Sequence, residues 1–172
     1  MEAQVFVTDM GGGVVDVLNP AAGELTVVPV GDQPRGIAVH PSGTFAYVAN
    51  AGSHSLSVIN SDTLEVTSVD VGDEPVGVAV NPAGTRVYVS NFAGNSISVI
   101  DTTANQVVAT IPVAGGPFGI SVNAEGTSVY VAAFLADTVA VIDVATGGVS
   151  NIDVGSAPAA FGRFIGPATP GR

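Results

Sequence analysis

The groups that could do chemistry are few, and they stand where an otherwise repetitive chain breaks its own pattern. His54 occupies a place taken elsewhere by Gly13, Asn95 and Asp137. Histidine titrates near neutrality and is the usual general acid or base, so His54 with Asp73, Glu74 or Asp9 could move protons. Arg35 stands where its counterparts are Val76, Phe118 and Ala159. A guanidinium there could grip a carboxylate or phosphate with two parallel bonds, or form an ion pair with Asp32, Asp73 or Glu74. Asp9, Asp32, Asn50, Asn91, Asp73, Glu74 and Asp137 offer hard oxygen donors of the kind calcium takes. The same residue types also bond loop backbone in turns. Phe92, Phe118 and Phe134 could line a pocket for an apolar small molecule or wedge between layers of structure. His40 replaces Asn81 and Asn123 in a turn and reads as structural.

Composition removes other chemistries. The chain has 172 residues, no cysteine and no lysine, and its four arginines (Arg35, Arg86, Arg163 and Arg172) face fifteen acids for a net charge of −11. Thiolate metal sites, disulfides and cysteine nucleophiles are therefore excluded. Nothing could neutralise a run of phosphates, which argues against nucleic acid, and the acidity argues against an anionic membrane surface. No Asp-x-Asp calcium loop, Gly-rich phosphate loop, His-x-x-x-His pair or Gly-x-Ser-x-Gly elbow occurs. No cofactor is expected beyond calcium as an option. Met1-Glu2-Ala3-Gln4 leads straight into a strand without a signal-like segment. That points to the cytoplasm as the sequence stands, or to the cell surface or outside if the chain is a trimmed one.

The candidate residues need a scaffold, and a repeat supplies it. Phe6-Val7-Thr8-Asp9, Tyr47-Val48-Ala49-Asn50, Tyr88-Val89-Ser90-Asn91 and Tyr130-Val131-Ala132-Ala133 are four copies of one strand, spaced by 41, 41 and 42 positions. A fixed period of this length with several short strands per unit marks a β-propeller blade. Turns such as Asn81-Pro82-Ala83-Gly84 follow the opening strand of each unit, with Gly supplying positive φ and Pro presetting the entry. Pro29, Asp70, Pro112 and Asp153 each fall one residue before the valine that closes a fourth strand, and Pro and charge both block strand addition at an exposed edge.

The fold expected is all-β: one domain, 1–172, with four blades of four antiparallel strands. Three blades run about 35–75, 76–117 and 118–158. The other joins 3–34 to a closing strand, 159–165. A ring of four blades turns about 90° per blade and a ring of eight about 45°, and sheet twist tolerates such changes only within limits. Outer strands of Val, Thr, Ser and Pro lack the bulk that wide wedges need. The expectation is a homodimer closed in trans as an eight-bladed ring, with a four-bladed ring closed within one chain as the alternative.

The Tyr-Val-Ala-Asn and Tyr-Val-Ser-Asn strands, the Val-Ile-Asp endings (Val99-Ile100-Asp101, Val141-Ile142-Asp143) and the Pro-x-Gly segments (Pro34-Arg35-Gly36, Pro75-Val76-Gly77, Pro117-Phe118-Gly119) resemble the YVTN-repeat β-propeller family. The resemblance covers nearly the whole chain and implies the fold. It implies no catalytic set, because members serve as surface-layer modules, binding proteins and, in looser relatives, enzymes. Relatives commonly have about seven repeats where this chain has four. The function expected is a noncatalytic binding module for a small molecule or protein partner at the channel mouth, with Arg35, Asp32, Asn50, Asn91, Phe92, Phe118, Phe134 and Asp137 as binding residues. The alternative is a lyase, isomerase or hydrolase using His54 with Asp73 and Glu74.

Overall fold

In the computed structural model, residues 4–160 and 165 are described. They contain strands and turns and no helix. Fifteen strands form four antiparallel sheets in chain order. The first sheet has three strands, β1 (Val5–Asp9), β2 (Val14–Asn19) and β3 (Glu24–Pro29). The second runs β4 (Pro34–Val39), β5 (Phe45–Asn50), β6 (Ser55–Asn60) and β7 (Val66–Asp70). The third runs β8 (Pro75–Val80), β9 (Arg86–Asn91), β10 (Ser96–Asp101) and β11 (Gln106–Pro112). The fourth runs β12 (Pro117–Val122), β13 (Ser128–Ala133), β14 (Thr138–Asp143) and β15 (Val149–Asp153). Each sheet is one blade. The edge-blocking residues Pro29, Asp70, Pro112 and Asp153 end the outermost strands, as the sequence predicts.

The blades stack as an arc, because their strands are apolar on both faces. In β5 every residue but the first is buried, and in β6 every residue but the last. Tyr47 and Ala49 point forward into a core with Val87, Val89 and Ile100 of the third blade. Ala46 and Val48 point backward into one with Val15, Val17 and Val28 of the first. A third core joins Tyr88 and Ile97 to Val129, Val131 and Ile142. Among the described residues no core cluster joins the first and fourth blades. The expected closing strand, 159–165, falls largely outside the described residues.

Innermost strands β4, β8 and β12 lie side by side along the inner wall of the arc. Glycine permits the approach: a Cβ on Gly36 would collide with the Val76 carbonyl oxygen, and one on Gly77 with that of Phe118. Ala160 continues the series, since its carbonyl oxygen lies where a Cβ on Gly119 would point.

Candidate functional site

The face of the arc that carries the loops between the second and third strands of each blade, and the linkers between blades, holds nearly all the predicted site residues. The backbone explains their types. Gly13, His54, Asn95 and Asp137 all have left-handed φ, at 64°, 50°, 47° and 55°. Glycine, asparagine and aspartate tolerate that conformation best, and histidine is also enriched there. The side chains share one further task. Asn95 Oδ1 accepts the N–H groups of Gly115 and Gly116, both at 3.0 Å, and Asp137 Oδ1 accepts that of Ala157 at 2.8 Å. His54 Nδ1 accepts the Glu74 N–H at 3.2 Å. His54 thus braces the linker to the next blade, as Asn95 and Asp137 do.

His54 Nδ1 also lies 3.0 Å from Asp73 Oδ1, with the two side chains 56% and 63% exposed. The two contacts exclude each other. A neutral ring with its proton on Nε2 takes the Glu74 N–H, whereas a proton on Nδ1 turns that nitrogen toward the Asp73 carboxylate. Beside this pair, Arg35 Nη2 meets Glu74 Oε1 at 3.3 Å, so the guanidinium is held by one of the acids that sequence offered it. Thr8 Oγ1 donates to the Arg35 carbonyl at 3.0 Å and ties the first blade to the second. Asp32 donates its N–H to Ser53 Oγ and lines a shallow depression with Met10 and Gln33.

Asn50 and Asn91 are placed differently from these surface groups. Both are fully buried. Asn50 Nδ2 donates to Ser55 and Ser57 at 3.1 and 2.9 Å, and Asn91 Nδ2 to Ser96 and Ser98 at 3.1 and 3.0 Å. Each cross-links two strands within its own blade. The oxygen-rich residues do not gather: among the described residues no group of three or more His, Asp or Glu could hold a metal ion.

The three phenylalanines do come together. Phe92–Phe118, Phe92–Phe134 and Phe118–Phe134 have centroid separations of 6.1, 6.4 and 5.8 Å, within the range of favourable ring pairs. All three are half-buried, and Leu135 beside them is 68% exposed. The loop face is therefore divided, with ion-paired groups across the second and third blades and an aromatic patch across the third and fourth.

One cavity was missed by sequence reasoning. A groove of about 490 Å³ runs along the inner wall, lined by Ile37, Val39, Val78, Val80, Ile120 and Val122 among others, toward the turns that hold Pro41 and Pro82. Consecutive residues of each inner strand line it, and Ala79, Ile120 and Val122 among them also belong to the core between the third and fourth blades, so nothing in their types marks them.

A family model described as YNCE-like beta-propeller matches residues 71–164. Kuenenia stuttgartiensis hydrazine synthase is similar over 87% of this chain and 46% of that one, at 30% identity and a TM-score of 0.80. A catalytically inactive virginiamycin B lyase from Staphylococcus aureus, solved with quinupristin, is similar over 89% of this chain and 53% of that one, at 13% identity and a TM-score of 0.78. The dihydro-heme d1 dehydrogenase NirN is similar over 91% of this chain and 36% of that one, at 18% identity and a TM-score of 0.77. The chain thus spans about half or less of each of these proteins, and the last two likenesses bear on fold alone. No curated protein matches it.

Proposed function

The chain belongs to the YNCE-like β-propeller family, and on that footing we propose that it is a noncatalytic binding module whose ligand docks on the loop face. The observation that carries this reading is the aromatic trio. Phe118 occupies a position that is Arg35 in the second blade and Val76 in the third, so the repeat does not require an aromatic there. Three rings left half-exposed beside Leu135 form an apolar anchor. The Arg35–Glu74 pair supplies a polar rim a blade away. An apolar floor with a few polar groups at its edge is the usual build of a small-molecule or peptide site.

Anilinonaphthalene sulfonate, an aromatic anion, is the probe. Saturable fluorescence enhancement on the parent chain is expected, weakened about tenfold in Phe118→Ser and Phe134→Ser, since each ring's burial is worth roughly 1.5–3 kcal/mol. Val66→Ser, on an outermost strand, should bind like the parent. Unchanged affinity in both phenylalanine variants, with their sheet circular dichroism intact, refutes the reading.

The His54–Asp73 contact favours a second reading, an enzyme with His54 as acid–base and Arg35 anchoring an anionic substrate. Its weakness is that His54 Nδ1 does the bracing that Asn95 and Asp137 do. The catalytic titles among the similar structures belong to those proteins, and one fold hosts many chemistries.

A further inference from the structure

The geometry points to an alkylated ammonium, carried by a small organic cation, as the group that the aromatic patch takes; this rests on the loop-face site proposed above and names its ligand class. The patch is an addition to the repeat. At the junction of the second and third blades the positions equivalent to Phe92 and Phe118 hold Ala51 and Val76, which are 4% and 3% exposed. At the junction of the third and fourth blades the two phenylalanines stand half-buried, with Phe134 against both. Small residues close one junction, and large rings open to solvent mark the next.

The arrangement of the rings suits a cation. Their planes meet at 83°, 59° and 38°, so no two are stacked parallel. Their centroids form a nearly equilateral triangle. A group in van der Waals contact above its centre lies about 5 Å from all three, inside the range of roughly 6 Å over which a ring attracts a cation. The attraction comes from the negative face of each ring's quadrupole.

The backbone around the rings does not suit an anion, because its donors are already engaged. The Phe92 N–H donates to the Glu74 carbonyl at 2.8 Å, that of Phe134 to Gly116 at 3.1 Å and that of Leu135 to Gly115 at 2.8 Å. The N–H groups of Gly115 and Gly116 go to Asn95 Oδ1. The charge of the surroundings agrees. Among the described residues, the loops and linkers of this face carry Asp32, Asp73, Glu74 and Asp137, and Asp9 ends β1 beside them. Arg35 is the permanent cation there, and Glu74 pairs with it. The Asp73–Glu74 linker is bonded to the Phe92 loop, since the Gly94 N–H also donates to the Asp73 carbonyl, at 3.1 Å. Asp137 lies in the same loop as Phe134. The local field therefore favours positive charge. A bare ammonium would give up hydrogen-bonded water that rings cannot replace. Alkyl groups on the nitrogen remove that cost and pack against the rings and Leu135. Three rings and one leucine match a headgroup in size, and a segment of chain would need more.

Choline and dimethylbutanol, its neutral isostere with carbon in place of nitrogen, test the inference. Titration of the 172-residue chain is followed by NMR at the ring protons of Phe92, Phe118 and Phe134. Both probes should shift them, with choline bound about five- to thirtyfold more tightly. Phe118→Leu keeps an apolar side chain without a π face, and should weaken choline about two- to fivefold while leaving dimethylbutanol unchanged. Phe92→Ala combined with Phe118→Val installs the residues the chain already uses at the neighbouring junction, so the fold is kept and the preference for choline should vanish. Equal affinity for the two probes overturns the inference, as does a preference that survives either variant. If anilinonaphthalene sulfonate still binds through Phe118 in that event, the loop-face site stands and its ligand class alone falls; if it too is silent, both fall. A trimethyllysine peptide bound about tenfold or more above choline makes the occupant a protein and overturns the assignment to a small molecule.

Discussion

Gly77→Ala tests the close approach of the innermost strands. In the folded chain the Gly77 N–H donates to Ser90 Oγ at 2.8 Å, and Ser90 Oγ donates to the Phe118 carbonyl at 2.6 Å. One hydroxyl thereby ties β8 and β9 to β12 of the next blade. A Cβ on Gly77 would overlap the Phe118 carbonyl oxygen and stand 2.7 Å from Ser90 Oγ and 3.0 Å from Ile120 Cγ2. The first neighbour is backbone and the second is fixed by its own bonds, so β8 and β12 must part. Overpacking of this kind costs about 1–3 kcal/mol, and losing the serine bridge about 1 kcal/mol more. Alanine returns about 0.4–1 kcal/mol by restricting the unfolded chain. The net expected loss is about 1–3.5 kcal/mol, or a Tm lower by about 2–14 °C for a chain of this size. Thermal and urea unfolding at fixed protein concentration measure it. Gly155→Ala is the control, because nothing lies within 4 Å of a Cβ there, and it should stay within about 0.5 kcal/mol of the parent. If Gly77→Ala is equally silent, the strands do not approach as described and the stacking account fails.

Asn91→Ala should cost about 1–3 kcal/mol in urea unfolding, because it strands the buried hydroxyls of Ser96 and Ser98. Tyr47→Phe should raise stability by about 1 kcal/mol, since the Tyr47 hydroxyl is buried without a partner; a loss of that size would mean the hydroxyl is bonded. Acid should destabilise the fold partly through Asp101. Its carboxyl is held below the usual range first by the N–H groups of Ala104 and Thr103 and then by Arg86. A folded-state value below the unfolded one means the unfolded chain takes the proton first, so this stabilisation is full at neutral pH and disappears as pH falls through the folded value. In Asp101→Asn the Tm should therefore fall less between pH 7 and acid, a range of about 4 units, than in the parent. Asp143, held low by Thr146, should behave alike.

The fold was legible because a short period repeats the same strand and turn types, and each copy supports the reading of the others. The outermost strands were legible from the Pro and Asp that end them. Site residues were less so, for reasons that differ. His54 reads as chemistry by type, yet its column of Gly13, Asn95 and Asp137 is a set that accepts left-handed backbone, and that signal was present in the sequence. The burial of Asn50 and Asn91 had a signal too. Each is followed by two serines at fixed spacing, Ser55 and Ser57 or Ser96 and Ser98, whereas Ala133 is followed by Thr138 and Ala140. The ion pair of Arg35 with Glu74, not with Asp32 or Asp73, depends on linker conformation that residue types do not encode. That Phe92, Phe118 and Phe134 meet depends on the angle between blades, which no local pattern records.

Among the described residues each hydrophobic core joins neighbouring blades, so cohesion is passed from neighbour to neighbour. Such an array has no single nucleus; it loosens from its extremities inward, like a row of leaning books. The second and third blades, braced twice, are the last to let go. The first, which among the described residues shows three strands and shares one core, is less braced than these.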